Sequence, residues 1–422
     1  MGWNSYDAYG DSVTEAEVLA NAVYQRQILH KHGYSYVVVD YRWYDPGAHS
    51  SDLADRAGAK LSADAYGRLL PAPNRFPSAA EGAGFKPLAD QIHAIGLKFG
   101  IHVMRGIPRQ AVAANLPIAG FEGRAVDAAN TASICSWNPD MFGVAADKPA
   151  GKAWYRSLLR LYAAWGVDYI KVDDLSDPYS ATEIEAIRDA IDACGRPIVF
   201  SLSPGPAPRT EAAHLNAHAN LWRISSDFWD RWPLVDRQFD LLGNWLGCGG
   251  PGHWPDADMI PLGHLSIRNY DGGPDRTCRL THDEQTTLMT LWSLESSPLM
   301  LGMNLPDNDA WTERLLTNDE VLAIDQDPNG QAAVPAHRDG RGEAWVKSLA
   351  DGAMAAGFFN RGETKAQVLL RWPDAALQGP QSVRDLWRHQ DLGVFDREIS
   401  MPVEPHGAVL LRLTSVARSG QR

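Results

Sequence analysis

The chain has 422 residues, of which 45% are hydrophobic, and a formal net charge of −13. That length accommodates one large domain and a smaller one, and the apolar share supports a sizeable core and argues against wholesale disorder. The acidic balance argues against a nucleic-acid partner, whose phosphates need a basic face, although the same charge equally serves solubility. No run approaches a membrane-spanning length. The opening MGWNSYDAYG has neither the basic segment nor the apolar stretch of a signal peptide. The compartment stays open, and a periplasmic or secreted location fits if the N-terminus is processed or shortened. Four cysteines form no C-x-x-C pair, so their spacing suggests no zinc or redox site. Fifteen tryptophans suit sugar stacking but equally suit cores and interfaces.

Helix-like and strand-like segments alternate as far as about residue 325. Residues 14–33 open on Thr14 with Glu17 three later, a capping-box pattern, and close on Gly33. A buried strand is expected over 35–43, a helix over 85–96, a strand over 97–105 and a helix over 151–166. The run Tyr169-Ile170-Lys171-Val172-Asp173 reads as the next strand. Then follow a helix (181–195), a strand (196–206), a shorter strand (219–227), a helix (236–247), a short strand or turn (254–263), a helix (281–296) and a strand (297–305). With the MGWNSY segment this gives eight strand candidates, most of them followed by helices. Strands buried on both faces with crossover helices imply a parallel sheet, and eight such units suggest an α/β closed barrel, a (β/α)8 TIM barrel. An open doubly wound sheet is the alternative, weakened by the lack of G-x-G-x-x-G after the first strand. Two long connections, 45–84 and 104–150, interrupt the rhythm, and the first is long enough to be functional or a lid. Beyond about residue 330 short runs separated by Gly, Asp and Pro read as a small antiparallel β-sandwich. The expected division is therefore 1–330 and 331–422.

In such a barrel the chemistry sits at the C-terminal ends of the strands. Polar residues there are Asp40, His102, Lys171, Asp173, Ser201, Ser203, Arg223, Asp227, Asp256 and Asp258. Carboxylates dominate, which suggests glycoside hydrolysis by one acid at the anomeric carbon and one near the leaving oxygen. A separation of about 5–5.5 Å gives retention and about 6.5–9.5 Å gives inversion. Lys171 and Asp173 share one face of their strand, so the ammonium can keep the carboxylate ionised. Asp174 points the other way and reads as structural. A buried ion pair lining the barrel is the plain alternative for Lys171 and Asp173. His102 reads as packed rather than catalytic, His253 and Trp254 as shaping a turn, and Trp229 and Trp232 as core or sugar platform. Asp45, His49 and Asp52 read as solvated loop polarity rather than metal ligands.

Five stretches in order carry a family likeness: MGWNSYDAYG, GRLLPAPNRFPS with GFKPLADQIHAIGLKFGIH, WGVDYIKVDD, GHWPDADMIPLG, and LLTNDEVLAIDQDPNG. They resemble glycoside hydrolase family 27, the α-galactosidase and α-N-acetylgalactosaminidase family. The resemblance implies a retaining exo-glycosidase that releases a terminal galactose-like sugar from an oligosaccharide or glycoconjugate. It implies Asp173 as nucleophile in K-x-D. It implies Asp227 as general acid/base, four beyond Arg223, with Asp230 the alternative if the register slips. Sugar-contacting roles fall on Trp3, Asp40, Lys171, Arg223 and Asp258. No metal or organic cofactor is implied. Composition rich in Ala, Arg and Gly hints at a bacterial source. A carbohydrate-binding protein without turnover is the alternative of another class.

The chain departs from that family at three places. Relatives that take galactose carry two adjacent aspartates after the second strand, whereas Asp40 is followed here by Tyr41. Tyr41 fills space and cannot accept as a carboxylate does, so a pentopyranose, as in a β-L-arabinopyranosidase, or a 6-deoxy sugar becomes a candidate. After the fifth strand Ser203 suits the roomier N-acetylgalactosaminidase form, while Pro204 and Gly205 match neither form. Leu175 replaces the cysteine that often follows the nucleophile, so the disulfide common there cannot form.

Overall fold

The computed structural model describes residues 1–49, 58–269 and 271–416. Its main sheet holds β1 (Gly2–Asn4), β2 (Tyr36–Val39), β3 (Lys98–Met104), β4 (Tyr169–Asp173), β5 (Val199–Leu202), β6 (Leu221–Arg223), β7 (Trp254–Asp256) and β8 (Met300–Leu301). Their spatial order is β7-β6-β5-β4-β3-β2-β1-β8. β8 pairs with β1 in parallel, Gly2 opposite Met300. A parallel bridge joins Leu301 to Ile260, just past β7. Strand order thus follows chain order around a (β/α)8 barrel.

The helices begin and end where local chemistry dictates. α1 (Glu15–Tyr24) starts at the Thr14 capping box, with the Thr14 amide donating to Glu17 Oε2 at 2.9 Å. It does not run uniformly to Gly33, as expected from the sequence. It passes through a π turn (Gln25–Leu29) and a 3-10 turn (His30–His32) first. α2 (Lys86–Ala94), α3 (Pro149–Trp165), α4 (Ala181–Asp192), α5 (Ala212–His218), α6 (Trp232–Asn244) and α7 (His282–Glu295) follow. Gly166 closes α3 in the left-handed conformation, φ 85°. α7 is buried nearly all round, as a helix with a polar face would not be.

Two further expectations change. The strand predicted over 35–43 stops at Val39, and Arg42 takes φ 54°. Arg42 is fully buried and donates twice to Asp140, from Nε at 3.1 Å and Nη2 at 3.0 Å. A buried guanidinium must be paired, so this pairing overrides the local β preference. The connection 104–150 is not only loop. Ile107–Pro108, Ala129–Ile134 and Met141–Val144 form a small antiparallel sheet.

The chain packs as two compact units, one of 1–227, 258–278 and 300–308, the other of 228–257, 279–299 and 309–422. The second contains β9 (Val334–Asp339), β10 (Gly342–Ser348), β11 (Met354–Asn360), β12 (Ala366–Arg371), β13 (Gln381–Asp385), β14 (Gln390–Phe395), β15 (Glu398–Val403) and β16 (Ala408–Ser415). Six form one antiparallel sheet in the order β9-β10-β11-β16-β13-β14, and β12 pairs with β15. Along β15 burial alternates residue by residue, and Ile399, Met401 and Val403 enter the sandwich core with Leu370 and Phe358. Gly357 of β11 is required by the helix behind it, since a Cβ there would stand 2.4 Å from Leu294 Cδ1 of α7.

In the first unit Asp11 is 1% exposed, and both carboxylate oxygens lack a hydrogen-bond partner among the described residues. Burial, opposed by Arg75 and Arg42, raises its pKa to about 6. A carboxyl whose folded pKa lies above its unfolded value contributes fully at low pH and loses that contribution as pH rises through the folded pKa. The rise from an ordinary aspartate value to about 6 corresponds to up to about 3 kcal/mol. Asp11→Asn is therefore expected to flatten the fall in stability between pH 4 and pH 7. Melting temperatures of the two proteins across that range check it, and parallel curves would refute the ionisation cost.

Candidate active site

The site gathers at the C-terminal ends of the barrel strands, and all its named members fall in the first unit. Parallel register sets its first rung: Lys171 of β4 lies opposite His102 of β3 and Ser201 of β5, and Asp173 opposite Met104. His102 Nε2 lies 2.9 Å from Asp173 Oδ2. His102 Nδ1 and Asp173 Oδ1 find no hydrogen-bond partner among the described residues. Burial alone would raise the Asp173 pKa, but the charges of Lys171 and His102, helped by the nearby Ser203 hydroxyl, leave it below the usual carboxylate range. The carboxylate is thus ionised and has a free oxygen, the two properties a nucleophile needs.

Lys171 Nζ reaches Asp40 Oδ2 at 3.1 Å. Asn4 Nδ2 donates to the same oxygen at 2.6 Å, and the Tyr41 amide donates to Oδ1 at 2.8 Å. Burial opposes the charge of Lys171, yet Asp40 and Asp173 outweigh it and raise its pKa. Lys171 therefore remains a cation between two carboxylates. Its ammonium also lies 5.7 Å from the centre of the Tyr6 ring. Trp3 is fully buried, its Nε1 donating to Met303 O at 2.7 Å.

Tyr41 is 4% exposed. Its ring meets His102 edge-on, centroids 5.2 Å apart, and lies 6.0 Å from Trp137. Its hydroxyl accepts a short hydrogen bond from Asn138 Nδ2. The segment carrying Asn138 is fixed in turn by the Arg42–Asp140 pair, and Asn138 Oδ1 accepts from the Asp140 amide at 2.7 Å. The position after Asp40 is thus filled by a ring locked from three sides.

Arg223, at the end of β6, is 2% exposed as a residue and holds two carboxylates through Nη2, Asp258 at 2.7 Å and Asp227 at 3.1 Å. The Asp227 side chain is 58% exposed, against 12% for Asp173. One carboxyl faces solvent while the other is recessed. Ser203 is buried, and Gly205 two residues on needs its missing side chain, because a Cβ would stand 2.5 Å from Ser225 O. The Ala207 amide then donates to Arg223 O at 2.9 Å. The Ser-Pro-Gly-Pro run thereby packs directly against the strand end that presents Arg223.

Other polar residues are engaged elsewhere. Asp174, at φ 67°, pairs with Arg105 at 2.6 Å. Asp230 is buried and paired with Arg279 at 2.8 Å, which leaves Asp227 as the exposed carboxyl of that segment. Asp256 is buried at the end of β7. Asp45 is buried 3.6 Å from Arg42, and His49 Nδ1 lies 2.9 Å from Gly47 O. Asp52 lies outside the described residues. His253 closes a two-way backbone turn with Gly250, and Trp229 is buried. Trp232 stacks on His406 at 3.9 Å. None of the four cysteines is in a disulfide. Sequence reading did not single out Asn4, Tyr6, Trp137 or Asn138, and it read His102 as packed rather than catalytic. Of these, His102 alone had a visible signal, its place at a strand end.

A (β/α)8 barrel with a recessed, cation-flanked carboxylate and a second exposed carboxylate at its strand ends has the architecture of a glycoside hydrolase. The family model described as "Alpha galactosidase A" matches residues 144–327, and that described as "Alpha galactosidase C-terminal beta sandwich domain" matches 339–413. Alpha-galactosidase 2 of Arabidopsis thaliana is 27% identical over 421 residues, covering 98% of this chain and 89% of its own. A structure of a family 27 β-L-arabinopyranosidase variant from Geobacillus stearothermophilus, in complex with arabinose, is 50% identical and covers 99% of this chain and 97% of that one, TM-score 0.96. A Bacillus halodurans C-125 structure provisionally assigned as an α-N-acetylgalactosaminidase is 44% identical, covers 98% and 96%, and has a TM-score of 0.88. The chain belongs to glycoside hydrolase family 27 and is a glycoside hydrolase of α-galactosidase type.

Proposed function

We propose that this enzyme is a retaining exo-glycosidase whose preferred terminal sugar is β-L-arabinopyranose. Asp173 attacks the anomeric carbon while Asp227 donates a proton to the departing glycosidic oxygen, leaving a glycosyl ester on Asp173. Asp227, now a base, takes a proton from water, whose oxygen attacks the same carbon and releases Asp173. Lys171 and His102 hold the nucleophile ionised. Asp40, Asp258 and Arg223 supply acceptors and a donor for ring hydroxyls. Residues 1–330 carry this chemistry and 331–422 form the sandwich.

The sugar preference rests on Tyr41. β-L-Arabinopyranose repeats the ring substituents of α-D-galactopyranose but has no hydroxymethyl group at C5. A locked tyrosine beside Asp40 removes both the space and the carboxylate that such a group would use. The 50% identical structure named as a β-L-arabinopyranosidase supports the same reading. Ser203 keeps an α-N-acetylgalactosaminide as the second reading, favoured by the 44% identical relative. The test is a panel of aryl glycosides: β-L-arabinopyranoside, α-D-galactopyranoside, α-D-fucopyranoside and α-N-acetylgalactosaminide. The arabinopyranoside is expected to give the highest kcat/KM, with the first-formed sugar keeping its anomeric configuration by NMR. A higher value for either hexopyranoside bearing a 6-hydroxyl, or an inverted first product, would overturn the proposal.

A further inference from the structure

Two helices bring together three ligating side chains that the site described above does not use. His214 and His218 stand four apart on α5, so their rings share one helix face. The ring centroids are 4.3 Å apart. Glu185 of α4 approaches from the neighbouring helix, its Oε1 3.2 Å from His214 Nε2. One ligand atom from each of the three lies within 4.8 Å of the others. A hydrogen bond of 2.6 Å joins His214 Nδ1 to the Tyr179 hydroxyl. With the proton on Nδ1, donated to the Tyr179 oxygen, the Nε2 lone pair faces Glu185. A metal-binding histidine is oriented in this way by a partner on its other nitrogen. The group is open to solvent on the Glu185 side, whose side chain is 52% exposed, so an ion has a path in. The neighbouring Arg188 pairs with Asp192.

We propose that Glu185, His214 and His218 form a site for a divalent transition-metal ion of the Zn2+ class. Two imidazoles and one carboxylate suit Zn2+, with water completing a tetrahedral shell, and a hard oxygen-seeking ion such as Mg2+ suits the set poorly. The role is structural. The ion would tie α4 to α5 and, through Tyr179, hold the segment that follows Asp173. This inference stands apart from the sugar preference and survives its failure.

The test uses the full chain stripped with chelator and titrated with Zn2+ against a chromophoric competitor. Saturable binding of one ion per chain is expected, with a rise in melting temperature. His218→Gln and His214→Ala are each expected to weaken binding at least about tenfold and to remove the thermal gain. Glu185→Gln gives a check that leaves both histidines in place, and is also expected to weaken binding. Co2+ in place of Zn2+ should show d–d absorption without a sulfur-to-metal charge-transfer band. Absence of saturable binding by the wild type overturns the proposal. So does undiminished binding in both histidine variants, or a thiolate band pointing to a cysteine such as Cys194.

Discussion

Asp173→Ala is expected to lower turnover of an aryl β-L-arabinopyranoside on the order of 10^4-fold or more, since removal of a covalent nucleophile costs that scale. The fold should survive the change. Lys171 keeps Asp40 at 3.1 Å, so no buried cation is left unpaired. Azide can enter the vacated space and attack from the same face, so added azide should restore turnover and yield a glycosyl azide of inverted configuration. Because the folded pKa of Asp173 is depressed, its charge is present above the ordinary carboxylate value and is lost only as pH falls through the lower folded value. An acidic limb of kcat/KM caused by Asp173 therefore lies below about pH 4. Activity within tenfold of wild type in Asp173→Ala would show that another group attacks.

Tyr41→Asp is expected to raise the ratio of kcat/KM for α-D-galactopyranoside over β-L-arabinopyranoside by about 10- to 100-fold, the range that a pocket fitted to one extra small group supplies. The change removes the ring that occupies the site and adds an acceptor for a 6-hydroxyl. It also has a cost: the Asn138 amide loses its phenol partner, and a new carboxylate lies beside Asp40 and the Asp140-bearing segment. Absolute rates will therefore fall, and the ratio is the informative quantity. Tyr41→Ala separates the two effects, because it opens space without adding charge and should move the ratio less. A ratio unmoved in both variants would remove Tyr41 from sugar selection.

The pattern of the site was legible where one strand or one turn carries it. Lys171 and Asp173 lie two apart, so any β-strand puts them on one face. Arg223 and Asp227 were placed by family likeness, and the structure shows why they go together, since a single guanidinium nitrogen holds both Asp227 and Asp258. His102 was read as packing because its own strand gives no reason to favour catalysis. Its contact with Asp173 exists only through the register of β3 against β4. Asn138 was invisible for a similar reason, being 97 residues from the hydroxyl it meets. Between Asp227 and Asp230 burial separates the two: Asp230 is paired with Arg279, whereas the Asp227 side chain is exposed, which supports the proposal for Asp227.

The sequence by itself determined the alternation of strands and helices, the capping at Thr14, the change to β-sandwich near residue 330, and the placing of carboxylates at strand ends. These follow from periodicity and from side chains acting on their own backbone within a few residues. The tertiary structure alone decided where β2 stops, that the 104–150 connection builds a small sheet, which carboxyls are paired, and that Tyr41 is locked. The end of β2, the paired carboxyls and the locked ring each depend on a buried charge or polar group finding a partner far along the chain, and burial makes such pairing obligatory without revealing in sequence which partner it will be.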